Sequence, residues 1–96
     1  MPYAEIIDAP ATEETYRSVR SKLGDETPKG LIVHLALKVE GGLRYVDVWD
    51  TEANWARFRD ERLSPALVAT LEEFGIEPPA ERPARQSLDV VDVWMP

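Results

Sequence analysis

The residues with the most chemistry to offer are His34 and Asp47. His34 is the only histidine and stands mid-way along the apolar run Gly30-Leu-Ile-Val-His-Leu-Ala-Leu-Lys38. Asp47 stands in the return run Leu43-Arg-Tyr-Val-Asp-Val-Trp-Asp50, and Val39-Glu40-Gly41-Gly42 between the two carries glycines suited to the positive φ angles of a tight hairpin. A two-residue turn at Glu40-Gly41, or a four-residue loop over 39–42, sets His34 opposite Asp47; a two-residue turn at Gly41-Gly42 sets it opposite Trp49. Cross-strand partners stand about 4.5–5.5 Å apart at Cβ, close enough for carboxylate and imidazole to bond. Such a bond fixes the imidazole tautomer and raises the basicity of the far nitrogen, as a general base requires. Against this, a lone strand histidine is more often structural, and a buried polar pair also serves to set strand register.

Alternation divides the hairpin into two faces. Leu31, Val33, Leu35 and Leu37 share one with Val46 and Val48; Ile32, His34 and Ala36 share the other with Tyr45, Asp47 and Trp49. The purely aliphatic face is expected beneath a helix layer, and the mixed face is expected to line a ligand cavity. On that reading His34 and Asp47 are the catalytic pair. Trp49, Tyr45, Ile32 and Ala36 bind substrate, the first two packing on a ring and donating to a developing oxyanion. Glu5, Tyr3, Asp92 and Trp94 are second-rank candidates, because the facing of their strands is ambiguous.

The elements that must position these groups can be taken in order. Residues 2–9 read as a short strand stopped by Pro10. Thr12-Glu13-Glu14 looks like an N-cap followed by acidic first-turn residues. Tyr16, Val19 and Leu23 then recur at helical spacing, and Gly24 terminates the helix. After the hairpin, Thr51 caps a second helix with Trp55, Phe58 and Leu63 on its apolar stripe. Ser64-Pro65 restarts it, giving a two-part or kinked helix over about residues 52–74. The run Glu77-Pro-Pro-Ala-Glu-Arg-Pro-Ala84 is a stiff connection, and Ser87 to Met95, containing Val90-Val-Asp-Val-Trp94, reads as a final strand. The order β-α-β-β-α-β is an α+β, ferredoxin-like arrangement: a four-stranded antiparallel sheet with two helices on one face, in a single domain over 1–96.

Composition narrows the function classes. The formal net charge is −7 with 11 scattered basic residues, which argues against nucleic acid and against an anionic membrane surface. There is no cysteine, so thiolate metal sites and cysteine nucleophiles are excluded. No apolar run approaches the roughly 20 residues of a membrane span, and the first residues lack the basic and apolar regions of a signal peptide. A cytoplasmic protein is expected. No metal-ligand spacing and no phosphate loop is present, so neither a metal nor a cofactor is expected.

Helices on one side leave the other side of the sheet uncovered. A contiguous apolar face normally means a partner, and the economical partner is a second copy packed sheet to sheet about a two-fold axis. The run from Gly41 to Leu67, with Trp49-Asp50-Thr51 followed by Trp55 and Phe58 on a helix, resembles the dimeric α/β-barrel superfamily. It is most similar to the antibiotic-biosynthesis-monooxygenase-like branch and its uncharacterised actinobacterial members. The resemblance implies a homodimeric α/β barrel and places Trp49 at the cavity. Haem-degrading members carry an iron-binding histidine on the second helix; this chain has none there. The expected function is binding of a small apolar, cyclic or aromatic ligand. Any catalysis would be cofactor-independent chemistry of monooxygenase, cyclase or isomerase type, with a His34–Asp47 general base. The alternatives are a non-catalytic ligand-binding or accessory dimer, or a module pairing through a sheet edge.

Overall fold

The computed structural model describes residues 2–78 and 84–96. Strand β1 (Tyr3–Ala9) leads to helix α1 (Glu13–Leu23), then to the hairpin of β2 (Leu31–Val39) and β3 (Gly42–Trp49). Helix α2 (Glu52–Phe58) passes through a π-helical turn at Arg59–Leu63 into α3 (Ser64–Phe74), and β4 (Arg85–Asp89) closes the sheet. The four strands lie in the order β2-β3-β1-β4, each antiparallel to its neighbour. This is the ferredoxin-like α+β architecture expected from the sequence.

Local chemistry explains the boundaries. Thr12 caps α1 by accepting from the Thr15 amide, while the Thr15 hydroxyl accepts from the Thr12 amide, so two otherwise orphaned donors are satisfied. Thr51 caps α2 through the Asn54 amide. Pro65 sits in the first turn of α3, where its missing N–H costs nothing, and Gly75 ends that helix in the left-handed region at φ 65°. The π turn and Pro65 divide the long helix where a restart was expected. At the hairpin Val39 pairs with Gly42, leaving Glu40-Gly41 as a two-residue turn in which Gly41 alone takes a positive φ, 84°. Gly42 has no room for a side chain, because a Cβ would run into the backbone carbonyl of Ala9.

Three expectations are corrected. The last strand was expected at residues 87–95 but runs Arg85–Asp89. Among the described residues its one neighbour is β1, whose ladder ends at Tyr3 opposite Asp89; one more bond, from the Val90 amide to the Pro2 carbonyl, exhausts the partners there. The proline-rich connection expected over 77–84 falls largely on residues 79–83, outside the described residues. Second, Leu31 does not share a face with Val33, Leu35 and Leu37. A β-bulge leaves Ile32 as the extra residue and sets Leu31 opposite Trp49.

The third correction is the largest. Both helices lie on the mixed face. Trp49 packs against Trp55 and Phe58 with ring centroids 5.8 and 5.4 Å apart, and the Tyr16 ring of α1 stacks near His34 and Tyr45. The aliphatic face (Val33, Leu35, Leu37, Val46 and Val48, joined across the sheet by Ala4, Ile6 and Leu88) is the uncovered one. Alternation separates two faces without labelling them. What selects the face is shape: the aromatic rings on α1 and α2 pack on Tyr45 and Trp49, and such ring-on-ring contacts are worth more than their area alone. The core is correspondingly small, with Leu43, Trp49, Trp55 and Ala66 as the buried apolar residues among those described.

Candidate functional site

The register places His34 opposite Asp47 and Asp47 opposite Glu5, which in turn faces Ser87. One level of the helix-covered face therefore carries a polar group on every strand. His34 Nδ1 meets the Asp47 carboxylate, and His34 Nε2 lies 2.8 Å from the Tyr16 hydroxyl. Both partners are satisfied together when Nδ1–H donates to Asp47 and the Tyr16 O–H donates to Nε2. The imidazole is thus held between a carboxyl group and a phenol, with Nε2 turned toward α1.

Tyr16, His34 and Tyr45 form an aromatic trio. Ring centroids are 6.0 Å apart for Tyr16 and His34, with planes 11° apart, and 5.6 Å for Tyr16 and Tyr45. Burial, and secondarily the neighbouring Tyr16 phenol, push the Tyr45 hydroxyl above its ordinary pKa. Ala36 is opposite Tyr45, at the edge of this trio, whereas Ile32 occupies the bulge and has no cross-strand partner. Of the expected binding residues, Tyr45 and Ala36 stand beside the imidazole. Trp49 lies at the far end of the face under α2 and is only 1% exposed. Its indole Nε1 is buried without a hydrogen-bond partner among the described residues. An unmet buried donor costs about 1–3 kcal/mol, so such a group is strongly receptive to an oxygen acceptor.

Glu5, a second-rank candidate, is buried at 4% exposure and ion-paired to Arg85. Tyr3 donates to its other oxygen at 2.8 Å and stands 3.0 Å from the Ser87 hydroxyl. The Arg85 guanidinium also covers the Trp55 ring at 5.1 Å. Burial raises the Tyr3 pKa. Asp92 and Trp94 lie beyond β4, on the chain that follows the sheet, and join neither cluster. Sequence reasoning placed Tyr16 in an apolar helix stripe and missed its polar end. The available signal was a hydroxyl on that stripe, one turn after the Thr12 cap.

Two hollows lie elsewhere. One of about 470 Å³ is lined by Ile6, Asp8, Arg44, Arg85 and Gln86. The other, about 300 Å³, runs along the end of α3 beside Val68, Leu71 and Ile76. The Tyr16 hydroxyl, reaching down from α1, occupies the Nε2 side of the imidazole. Among the described residues, no group of three or more His, Cys, Asp or Glu side chains could hold a metal ion, and no helix is long and apolar enough to cross a membrane.

No family model matches the chain, and no curated protein matches it in sequence. Solved structures do match in fold. A candidate antibiotic biosynthesis monooxygenase from Chloroflexus aurantiacus superposes with a TM-score of 0.64 at 14% identity, over 99% of this chain and 98% of its own. Rv0793 from Mycobacterium tuberculosis gives 0.60 at 16% identity, over 97% and 98%. A point variant of MhuD, with two manganese protoporphyrin IX molecules bound per active site, gives 0.52 at 22% identity, over 98% of each chain.

Proposed function

From a chain folded as the antibiotic-biosynthesis-monooxygenase-like proteins are, we propose a homodimeric small-molecule-binding protein in which His34, oriented by Asp47, is a general base toward a cyclic or aromatic ligand. The observation that carries the reading is the imidazole suspended between Asp47 and a phenolic hydroxyl, beside the ring of Tyr45. An acidic hydroxyl or C–H of a ligand would take the position of the Tyr16 O–H at Nε2. Its proton would pass to Nε2, and Asp47 would stabilise the resulting imidazolium. Tyr45 and Ala36 would bound the ring, Ile32 would contribute apolar surface from the bulge, and the unmet Trp49 N–H would donate to a ligand oxygen at the far end. Oxygenation, cyclisation and isomerisation share this proton abstraction.

The cofactor-independent form of the proposal has its own support. A porphyrin iron would need an axial ligand, and the one histidine holds it only by giving up Asp47 or Tyr16. The dimer would form through the aliphatic face, where Leu35, Leu37 and Leu88 stand 46%, 43% and 41% exposed. A cytoplasmic location goes with this reading. A second reading, a non-catalytic dimer whose interior is filled by its own side chains, is favoured by one observation: the Tyr16 hydroxyl already occupies Nε2 of His34.

The test uses 4-nitrophenol, a ring whose hydroxyl reports its own deprotonation by absorbance. The protein should bind it and raise its ionised fraction. His34→Ala should abolish that rise, and Tyr16→Phe should tighten binding about fivefold, by freeing Nε2 from a hydrogen bond worth about 1 kcal/mol. Equal binding and ionisation in wild type and His34→Ala would remove the base and leave the non-catalytic reading.

A further inference from the structure

The Tyr16 hydroxyl lies 2.8 Å from His34 Nε2, and the opposite ring nitrogen, Nδ1, is held by the Asp47 carboxylate. The planes of the two rings differ by 11°, and 2.8 Å is closer than the roughly 3.5 Å at which atoms of stacked rings rest. The hydroxyl therefore meets Nε2 at the edge of the imidazole, where its lone pair lies. A hydroxyl, an imidazole and a carboxylate linked in that order are the parts of an activated nucleophile. The imidazole takes the hydroxyl proton, and the carboxylate fixes the tautomer and steadies the imidazolium. A phenol stands here in place of an alcohol. It is the stronger acid of the two, so the base has less to do.

Holding α1 on the sheet does not require this bond. Thr12 caps the helix, Lys22 pairs with Glu73 of α3 at 2.7 Å, and the Arg62 guanidinium donates to the Leu23 carbonyl at 2.7 Å. The cluster is also open to solvent: the His34 side chain is 30% exposed, Asp47 17%, and Tyr16 is half-buried. The other two tyrosines differ. Tyr3 donates to Glu5, a carboxylate already engaged by Arg85. Tyr45 has its proton held by burial. Its ring lies 5.6 Å from that of Tyr16, and it stands beside the reacting oxygen as a donor.

We propose that Tyr16 is a nucleophile activated by His34 and Asp47, and that this cluster takes the acyl group of an activated aryl ester. The Tyr16 oxygen attacks the carbonyl carbon while its proton passes to Nε2. The tetrahedral intermediate then collapses, the bond to the aryl oxygen breaks, and the departing aryloxide takes the proton from Nε2. Water, deprotonated by the same nitrogen, attacks the acyl-tyrosine; Tyr16 leaves with the proton back on its oxygen. Ester and water become acid and phenol. The proposal shares the base of the function proposed above but not its ligand: there His34 takes a proton from a bound ring, here from the protein's own phenol.

The experiment treats the protein with 4-nitrophenyl acetate and maps acetylation by peptide mass spectrometry. Tyr16 should be acetylated on the order of a hundredfold faster than Tyr3 and Tyr45 in the same sample, the gain that a positioned base gives. His34→Gln should remove that advantage and Asp47→Asn should reduce it. Tyr16→Phe should abolish the burst of 4-nitrophenolate that accompanies acetylation. The comparison among tyrosines is made within the wild-type protein, so it stands even if a variant fails to fold. Equal rates at the three tyrosines, or acetyl on His34 with Tyr16 unmodified, overturns the nucleophile. If 4-nitrophenol is nevertheless ionised through His34, the base survives without it. Tyr16 acetylated with 4-nitrophenol left un-ionised upholds the nucleophile and removes the ligand reading.

Discussion

An imidazole has two nitrogens, and in this protein each has a partner. The Asp47 bond could be anticipated, because a Gly-containing two-residue turn and a side-chain period of two leave few registers for the hairpin. The Tyr16 bond was signalled only by a hydroxyl on the apolar stripe of α1. Eighteen residues separate Tyr16 from His34, and which side of α1 meets the sheet depends on how the helix rolls when it packs. Tyr45 carries a pH prediction at this scale. Its pKa in the folded protein is raised above the unfolded value, so the folded state holds this proton more tightly. Its contribution is therefore fully present below about pH 10 and is lost as pH rises through the folded pKa. Urea unfolding at about pH 8 and again at about pH 11 should show a smaller alkaline loss of stability for Tyr45→Phe than for the wild type.

At the scale of elements, the helices report their own limits. Thr12 and Thr51 at the starts, Gly75 at an end and Pro65 at the restart were all legible, because capping and glycine or proline chemistry act within one turn of chain. Thr12→Ala removes a side-chain acceptor from the Thr15 amide and breaks the reciprocal pair, and should lower thermal stability by about 1 kcal/mol in a calorimetric scan. Less legible was the extent of β4. Propensity favoured the valine-rich run, but a strand exists only where a neighbour offers backbone partners, and β1 offers them to residues 85–89. The bulge at Ile32 escaped notice for a similar reason: nothing in Leu31-Ile32-Val33 marks the extra residue, and its consequence is to turn Leu31 toward Trp49.

For the whole molecule, the decisive asymmetry is that one face of the sheet is roofed by aromatic residues and the other is bare aliphatic surface. Leu35→Asp places a charge on that bare face and should convert a dimer to monomer at micromolar concentration by light scattering, while circular dichroism keeps the native helix and strand content. A dimer unaffected by the substitution would place the interface elsewhere. Length, hydrophobic period and turn residues were enough for the element order and the antiparallel hairpin, and they narrowed the partner of His34 to Asp47 or Trp49, since each of these depends on neighbours close in the chain. Which face the helices cover, where the last strand stops and what meets the free nitrogen of His34 were settled by packing. These depend on how ring shapes fit and on which backbone groups remain unpaired, and no short stretch of residues contains that information.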